Sequence, residues 1–232
     1  MTAVKQLLVY LFIFANTANI FAHALFIKTN GEGKKGEAQD VFVFYAEPHD
    51  GKRELIKDWW SNTKDFTLWL THPNGIKEKI ITQQRNNHFS ASFTPKTDGR
   101  YYFSIHHNVA SLYGKTQYQF NTSTSVEVGK PYVRSKLIKT KEENLLLMYK
   151  SFKNDNIISI YVENRGVPLA DISIKVFAPN GWQKDIKTNT EGIASFKVEL
   201  QVPYLLEASK KEDVENEEYI NRMRIVTTFV TH

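Results

Sequence analysis

Tyr101-Tyr102-Phe103-Ser104-Ile105, entered through Asp98-Gly99-Arg100 and left through His106-His107, is the stretch on which the reading of this chain turns. Aromatic and β-branched residues crowd into it, Gly supplies a turn before it, and its side chains must alternate between two faces if it is extended. Similar runs occur at Val41-Phe42-Val43-Phe44-Tyr45, Phe66-Thr67-Leu68-Trp69-Leu70 and Phe89-Ser90-Ala91-Ser92-Phe93, separated by Pro73-Asn74-Gly75 and by Pro95 with Asp98-Gly99. Each is a strand bounded by turn chemistry. A second series follows at Ile157–Val162, Ile172–Phe177, Asp185–Thr188, Ile193–Val198, Tyr204–Ala208 and Arg224–Val230. Only residues 50–60 and 208–222 lack the pattern and read as charged loops with at most a helical turn.

The composition shifts near Gly129-Lys130-Pro131, which divides the chain into an aromatic-rich module at 23–130, a connecting segment at 131–150 containing Leu145-Leu146-Leu147-Met148-Tyr149, and a second module at 151–232. The economical architecture is all-β: two tandem antiparallel β-sandwiches of immunoglobulin-like and transthyretin-like type.

Residues 1–22 have the plan of a secretory signal peptide, with Lys5, the apolar run Leu7 to Ala15, and a small polar exit. That run is shorter than the roughly 20 residues of a membrane span, so the expected mature chain has no transmembrane segment and is periplasmic. Two cuts compete. Ala22-His23-Ala24 fits the small-x-small rule and releases a chain starting at Leu25, whereas Ile20-Phe21-Ala22 releases one starting at His23.

The formal charge of +5 falls by one if Lys5 leaves with the leader. Its lysines are scattered, without an Arg-rich stripe or an aromatic-basic repeat, which argues against a nucleic-acid partner. Cys is absent. That excludes disulfides, a lipidated anchor and thiolate metal sites, and with Met148 and Met223 as the methionines beyond the leader, a thioether cage for Cu(I) is also disfavoured.

In the second module, Gly166-Val167-Pro168-Leu169-Ala170-Asp171-Ile172, then Thr188-Asn189-Thr190-Glu191-Gly192-Ile193 and Pro203-Tyr204-Leu205-Leu206, resembles a transthyretin-like or carboxypeptidase-regulatory-like β-sandwich. Together with Ala178-Pro179-Asn180-Gly181-Trp182 and Asp98-Gly99-Arg100-Tyr101-Tyr102, the chain resembles the NikM-like periplasmic family, whose members are linked to nickel uptake. That resemblance implies a mature protein beginning with histidine and a short apolar strand, as in His23-Ala24-Leu25-Phe26-Ile27, and a membrane metal-uptake system as a partner. Relatives carry histidine after the strand opened by Tyr204; this chain has Ser209-Lys210-Lys211-Glu212-Asp213.

A histidine at a free N-terminus offers a metal its α-amine and its imidazole together, which suits Cu(II) or, with added oxygen, Ni(II). The residues from which a metal site is expected are His23, a second imidazole from His106 or His107, and His49 in the loop Glu47-Pro48-His49-Asp50, whose carboxylates are oxygen ligands or acceptors for a ligand's N–H. His107 is in phase with Tyr101, Phe103 and Ile105; His106 is in phase with Tyr102 and Ser104. His72, His88 and His232 read as turn, surface and terminal residues. The expected function is therefore non-enzymatic binding of a divalent ion, nickel or copper. The alternatives are a glycan- or protein-binding module using Trp59, Trp60 and Trp69, and a copper-dependent polysaccharide oxidase with Tyr101 or Tyr102 near the metal.

Overall fold

A computed structural model describes residues 23–48, 52–129, 146–154, 156–179 and 181–231. The proposed leader, His49, His232 and most of the connecting segment lie outside the described residues. The first half forms β1 (Ala24–Thr29), β2 (Glu32–Gly33), β3 (Gln39–Ala46), β4 (Leu68–Thr71), β5 (Lys77–Ile80), β6 (Gln83–Gln84), β7 (Phe89–Phe93), β8 (Gly99–Asn108) and β9 (Thr116–Val128). Short 3-10 turns at Ile56–Asp58 and Thr63–Asp65 interrupt the loop between β3 and β4. The second half forms β10 (Leu146–Asn154), β11 (Ile157–Asn164), β12 (Val167–Pro168), β13 (Ser173–Phe177), β14 (Gln183–Lys187), β15 (Ile193–Lys197), β16 (Tyr204–Asp213) and β17 (Asn221–Val230).

The alternation read in Tyr101–Ile105 extends along all of β8, whose odd-numbered residues from Gly99 to His107 are buried while Arg100, Tyr102, Ser104 and His106 are half-exposed. Those odd residues face a small sheet of order β1-β3-β7-β6, and Leu25, Ile27, Val43, Phe103 and Phe120 fill the space between. A second core lies between β10, β11 and β15 on one side and β13, β16 and β17 on the other, with Ile160, Val162, Val176 and Leu206 completely buried. Full burial of each such side chain contributes about 1.5–3 kcal/mol. The result is an all-β chain of two sandwiches, with no helix among the described residues long and apolar enough to cross a membrane.

The two sandwiches share one sheet, of order β14-β13-β16-β17-β9-β8-β4-β5. Within each sandwich the long strands pair antiparallel, but β17 joins the halves by pairing antiparallel with β16 and parallel with β9, from Asn221↔Thr116 to Phe229↔Thr124. The last strand is thus the seam. It also carries β1, because the Thr227 hydroxyl donates to the Leu25 carbonyl at 2.7 Å.

Each sandwich is latched by a buried tyrosine reaching back four residues. Tyr101 donates its hydroxyl to the Thr97 carbonyl at 3.0 Å and accepts the Thr97 N–H at 3.1 Å. Tyr204 does the same with Leu200, at 2.9 and 2.8 Å. Such a latch is characteristic of these sandwiches. Gly192 has φ +73°, and a Cβ there would stand 2.6 Å from the Val162 carbonyl oxygen.

The sequence expectation for 208–222 needs correction. β16 continues to Asp213 and β17 begins at Asn221, so most of that segment is a strand pair. Ion pairing stands where hydrophobic alternation was sought: Arg224, completely buried, donates to Glu212 through Nε at 2.8 Å and lies within 2.7 Å through Nη2, and Arg222 is 3.8 Å from the same carboxylate. Likewise, the run expected to begin at Phe66 enters the sheet only at Leu68, after the Thr63–Asp65 turn.

Candidate metal site at the start of the first strand

The register that pairs Ala24 with Ala46 carries the chain back one residue to set His23 across from Glu47. Odd residues of β1 and β3 face the core, so His23 sits on the core side at the open end of the sandwich, with its ring 5.3 Å from that of Tyr45. Tyr45 in turn packs on Trp59 and Phe120, at 5.6 and 5.8 Å. The floor of the site is aromatic.

Its walls are carboxylates. Nε2 of His23 is 3.0 Å from Glu54 Oε1, and Nδ1 is 3.8 Å from Glu47 Oε1. The three side chains are 28%, 26% and 30% exposed, so solvent and small ions reach them. Glu54 is fixed through its backbone: its N–H donates to the Tyr45 carbonyl at 3.1 Å, and its own carbonyl accepts the Trp59 indole N–H at 3.2 Å. Burial pushes the Tyr45 phenol well above its ordinary value, and the fields of Glu54 and Tyr118 add to the effect. Tyr45 therefore stays a neutral phenol beside the two acids.

The structure brings His23 together with glutamates and not with the other histidines. His107 faces inward as its phase requires, and it is buried, but its Nε2 is 3.3 Å from Asn62 Oδ1, which also accepts the Ala110 N–H at 2.8 Å. Burial lowers the pKa of His107, with Asp65 opposing and His106 reinforcing. From His107 the contacts lead through its cross-strand neighbour Phe120 and then Tyr45 before reaching His23. His106 lies on the opposite face with Nδ1 2.7 Å from Asn121 Oδ1. Among the described residues no three His, Asp or Glu side chains stand together in ligating geometry; a set completed by an α-amine is a different case.

Other candidate residues take structural places. Trp59 is core, edge-on to Phe89 at 5.5 Å, and does not form part of an exposed platform. Trp60 is half-buried against Tyr118, and Trp69 lies under Lys77. Tyr101 latches Thr97 near the opposite end of β8 from His107, about 20 Å away at the rise of an extended strand. His72 contacts Glu78 at 2.8 Å, and His88 packs between Phe42 and Phe44. An open cleft of about 380 Å³ lies toward the far end of β1, lined by Lys28, Glu32, Lys34 and Glu37, away from His23. Glu54 is the site residue that sequence reasoning missed. It lies 31 positions from His23, in a charged loop with no periodicity to mark it.

No family model matches the chain, and neither does any curated protein. Among solved structures, the chain is similar to a two-domain fibronectin type-III segment of chicken tenascin, at 9% identity over 89% of this chain and 97% of that one, with a TM-score of 0.27. It is also similar to a mutant of Salmonella alpha-2-macroglobulin, at 9% identity over 92% of this chain and 15% of that one, TM-score 0.31. A BSP domain of a biofilm-associated protein is 12% identical over 88% of this chain and 29% of that one, TM-score 0.24. Scores this low add nothing to what the strand pairing establishes.

Proposed function

We propose that the protein is an exported, non-enzymatic binding protein for a divalent first-row ion, nickel or copper, which it holds through the amine and imidazole of His23 once the leader is removed and passes to a membrane uptake system. The observation that carries this reading is the place of His23: one residue before β1, at an accessible rim, with its ring oriented by Glu54 at 3.0 Å. Metal-binding imidazoles characteristically donate their second N–H to a carboxylate in this way.

The start of β1 also bears on the cleavage register. Ala24 is completely buried and pairs with Ala46. A cut before Leu25 would remove a paired core residue, whereas a cut before His23 keeps the strand whole and frees the amine at the rim. The resemblance to nickel-associated exported proteins supports the same reading, and the affinity order for nitrogen donors places Cu(II) above Ni(II).

Intact-mass measurement of the exported protein, followed by calorimetric titration with Ni(II) and Cu(II), tests the proposal. A mass beginning at His23 and a one-to-one complex that His23→Ala abolishes support it. A mass beginning at Leu25, or wild-type affinity in His23→Ala, overturns it.

A further inference from the structure

The amine and Nδ1 of one histidine close a six-membered chelate with an ion, and two donors alone hold a divalent ion poorly. What completes the set is legible in the two glutamates, whose contacts with His23 differ in kind. We infer that Glu47 supplies the third ligand, a carboxylate oxygen, and that Glu54 is a positioning residue that fixes the imidazole tautomer. The assignment rests on the N-terminal amine reading given above.

A carboxylate only accepts hydrogen bonds, so the 3.0 Å contact between Glu54 Oε1 and Nε2 requires the proton of the neutral ring to be on Nε2. The main chain that presents Glu54 is held in place, since its N–H and C=O are tied to Tyr45 and to the Trp59 indole, and its neighbour Arg53 bridges to Ala46. Nδ1 is then left with its lone pair, and the group 3.8 Å away is the Glu47 carboxylate, another acceptor. In the neutral ring these two acceptors face each other with no proton between them, an arrangement complementary to a cation.

The spacing suits one. With metal–ligand bonds of about 2.1 Å, two donors on one ion stand about 3.0 Å apart at a right angle, about 3.4 Å in a tetrahedron and about 4.2 Å when opposed. The observed 3.8 Å lies inside that range, and it reaches the tetrahedral value with a movement of under half an ångström. His23 directly precedes β1 and Glu47 directly follows β3, so the Ala24–Ala46 pair brings the two residues to the same end of the strand pair.

The imidazoles of His106 and His107 are engaged with Asn121 and Asn62, consistent with an oxygen as the third donor. One amine, one imidazole and one carboxylate form a borderline set that favours divalent nickel, copper or zinc over Cu(I). Ligands about a quarter exposed leave positions open to water or to a receiving protein, as a cargo site requires.

The test uses protein beginning at His23, with Glu47→Gln, Glu54→Gln and Glu54→Leu, each checked for an unchanged thermal transition. Calorimetry with Ni(II) and Cu(II) is paired with electron paramagnetic resonance of the copper complex. The expected result is two coordinated nitrogens, one of them imidazole, and at least a tenfold loss of affinity in Glu47→Gln. Glu54→Leu should lose about 10–100-fold, and Glu54→Gln, whose amide oxygen still accepts from Nε2, should recover much of that loss. Wild-type affinity in Glu47→Gln, or a second imidazole in the spectrum, overturns this assignment while leaving an amine-anchored site standing. Failure of the parent protein to bind either ion removes both.

Discussion

Replacing Glu207 by Gln should stabilise the protein above neutral pH and lose that advantage in acid. Glu207 sits on β16 between Lys175 of β13 and Thr227 of β17, and its Oε2 is buried without a hydrogen-bond partner among the described residues. Burial raises its pKa from 4.5 to about 7 despite the opposing field of Lys175. At about 1.4 kcal/mol per pH unit, that gap corresponds to about 3 kcal/mol. The folded form keeps its proton in a window where the unfolded chain has lost it, so the contribution of this group to stability is greatest below about pH 4.5, falls as pH rises, and is gone above about pH 7. Gln carries no such dependence. Urea unfolding of both proteins at pH 4.5, 6 and 8, followed by tryptophan fluorescence, should therefore show the stability difference shifting toward the variant by about 3 kcal/mol across the range. Burial also raises the pKa of Glu163 and lowers that of His107, giving pH dependences of opposite sign, but both groups are present in both proteins and cancel in the difference. A difference that stays constant with pH would refute the reasoning. The position matters locally, because Thr227, beside Glu207, holds the β1 strand that leads back to His23.

Tyr204→Phe strips partners from the N–H and C=O of the half-buried Leu200 and should cost about 1–3 kcal/mol, measured as a lower urea midpoint at unchanged slope. Glu212→Ala leaves the fully buried Arg224 without its carboxylate and should cost about 3–5 kcal/mol by the same measurement. Deletion from Asn221 onward removes the strand that both sandwiches pair with, so limited proteolysis should show the two halves becoming susceptible together; survival of either half intact would contradict the shared-sheet arrangement.

Much of the fold was readable because burial imposes period 2 on a strand, and Tyr101–Ile105 and Ile157–Val162 display it. β16 beyond Ala208 escaped notice because Glu212, Arg222 and Arg224 hold one another by charge, leaving no apolar signal. The parallel β9–β17 seam could not be read, since a local pattern says nothing about which distant strand lies alongside. At the site, His23 was legible from the leader, and the carboxylates of the loop around His49, Glu47 among them, were legible as oxygen ligands or as acceptors for a ligand's N–H. Glu54 was not, because its approach to Nε2 follows from the folding back of a loop onto Tyr45. Phase groups His107 with Tyr101, Phe103 and Ile105 but leaves open which of His106 and His107 faces a site, and it cannot show that Asn62 stands beside Nε2 of His107.

The central claim is that a free amine on His23 and its imidazole act on one ion together. It is tested most directly by comparing Cu(II) and Ni(II) affinity of protein beginning at His23 with that of the same protein carrying one additional glycine in front of it. The extension leaves the imidazole, Glu47 and Glu54 in place and turns the coordinating amine into an amide. The account predicts a loss of at least about 100-fold, equivalent to about 2.7 kcal/mol of binding free energy; equal affinity in the two proteins would contradict it.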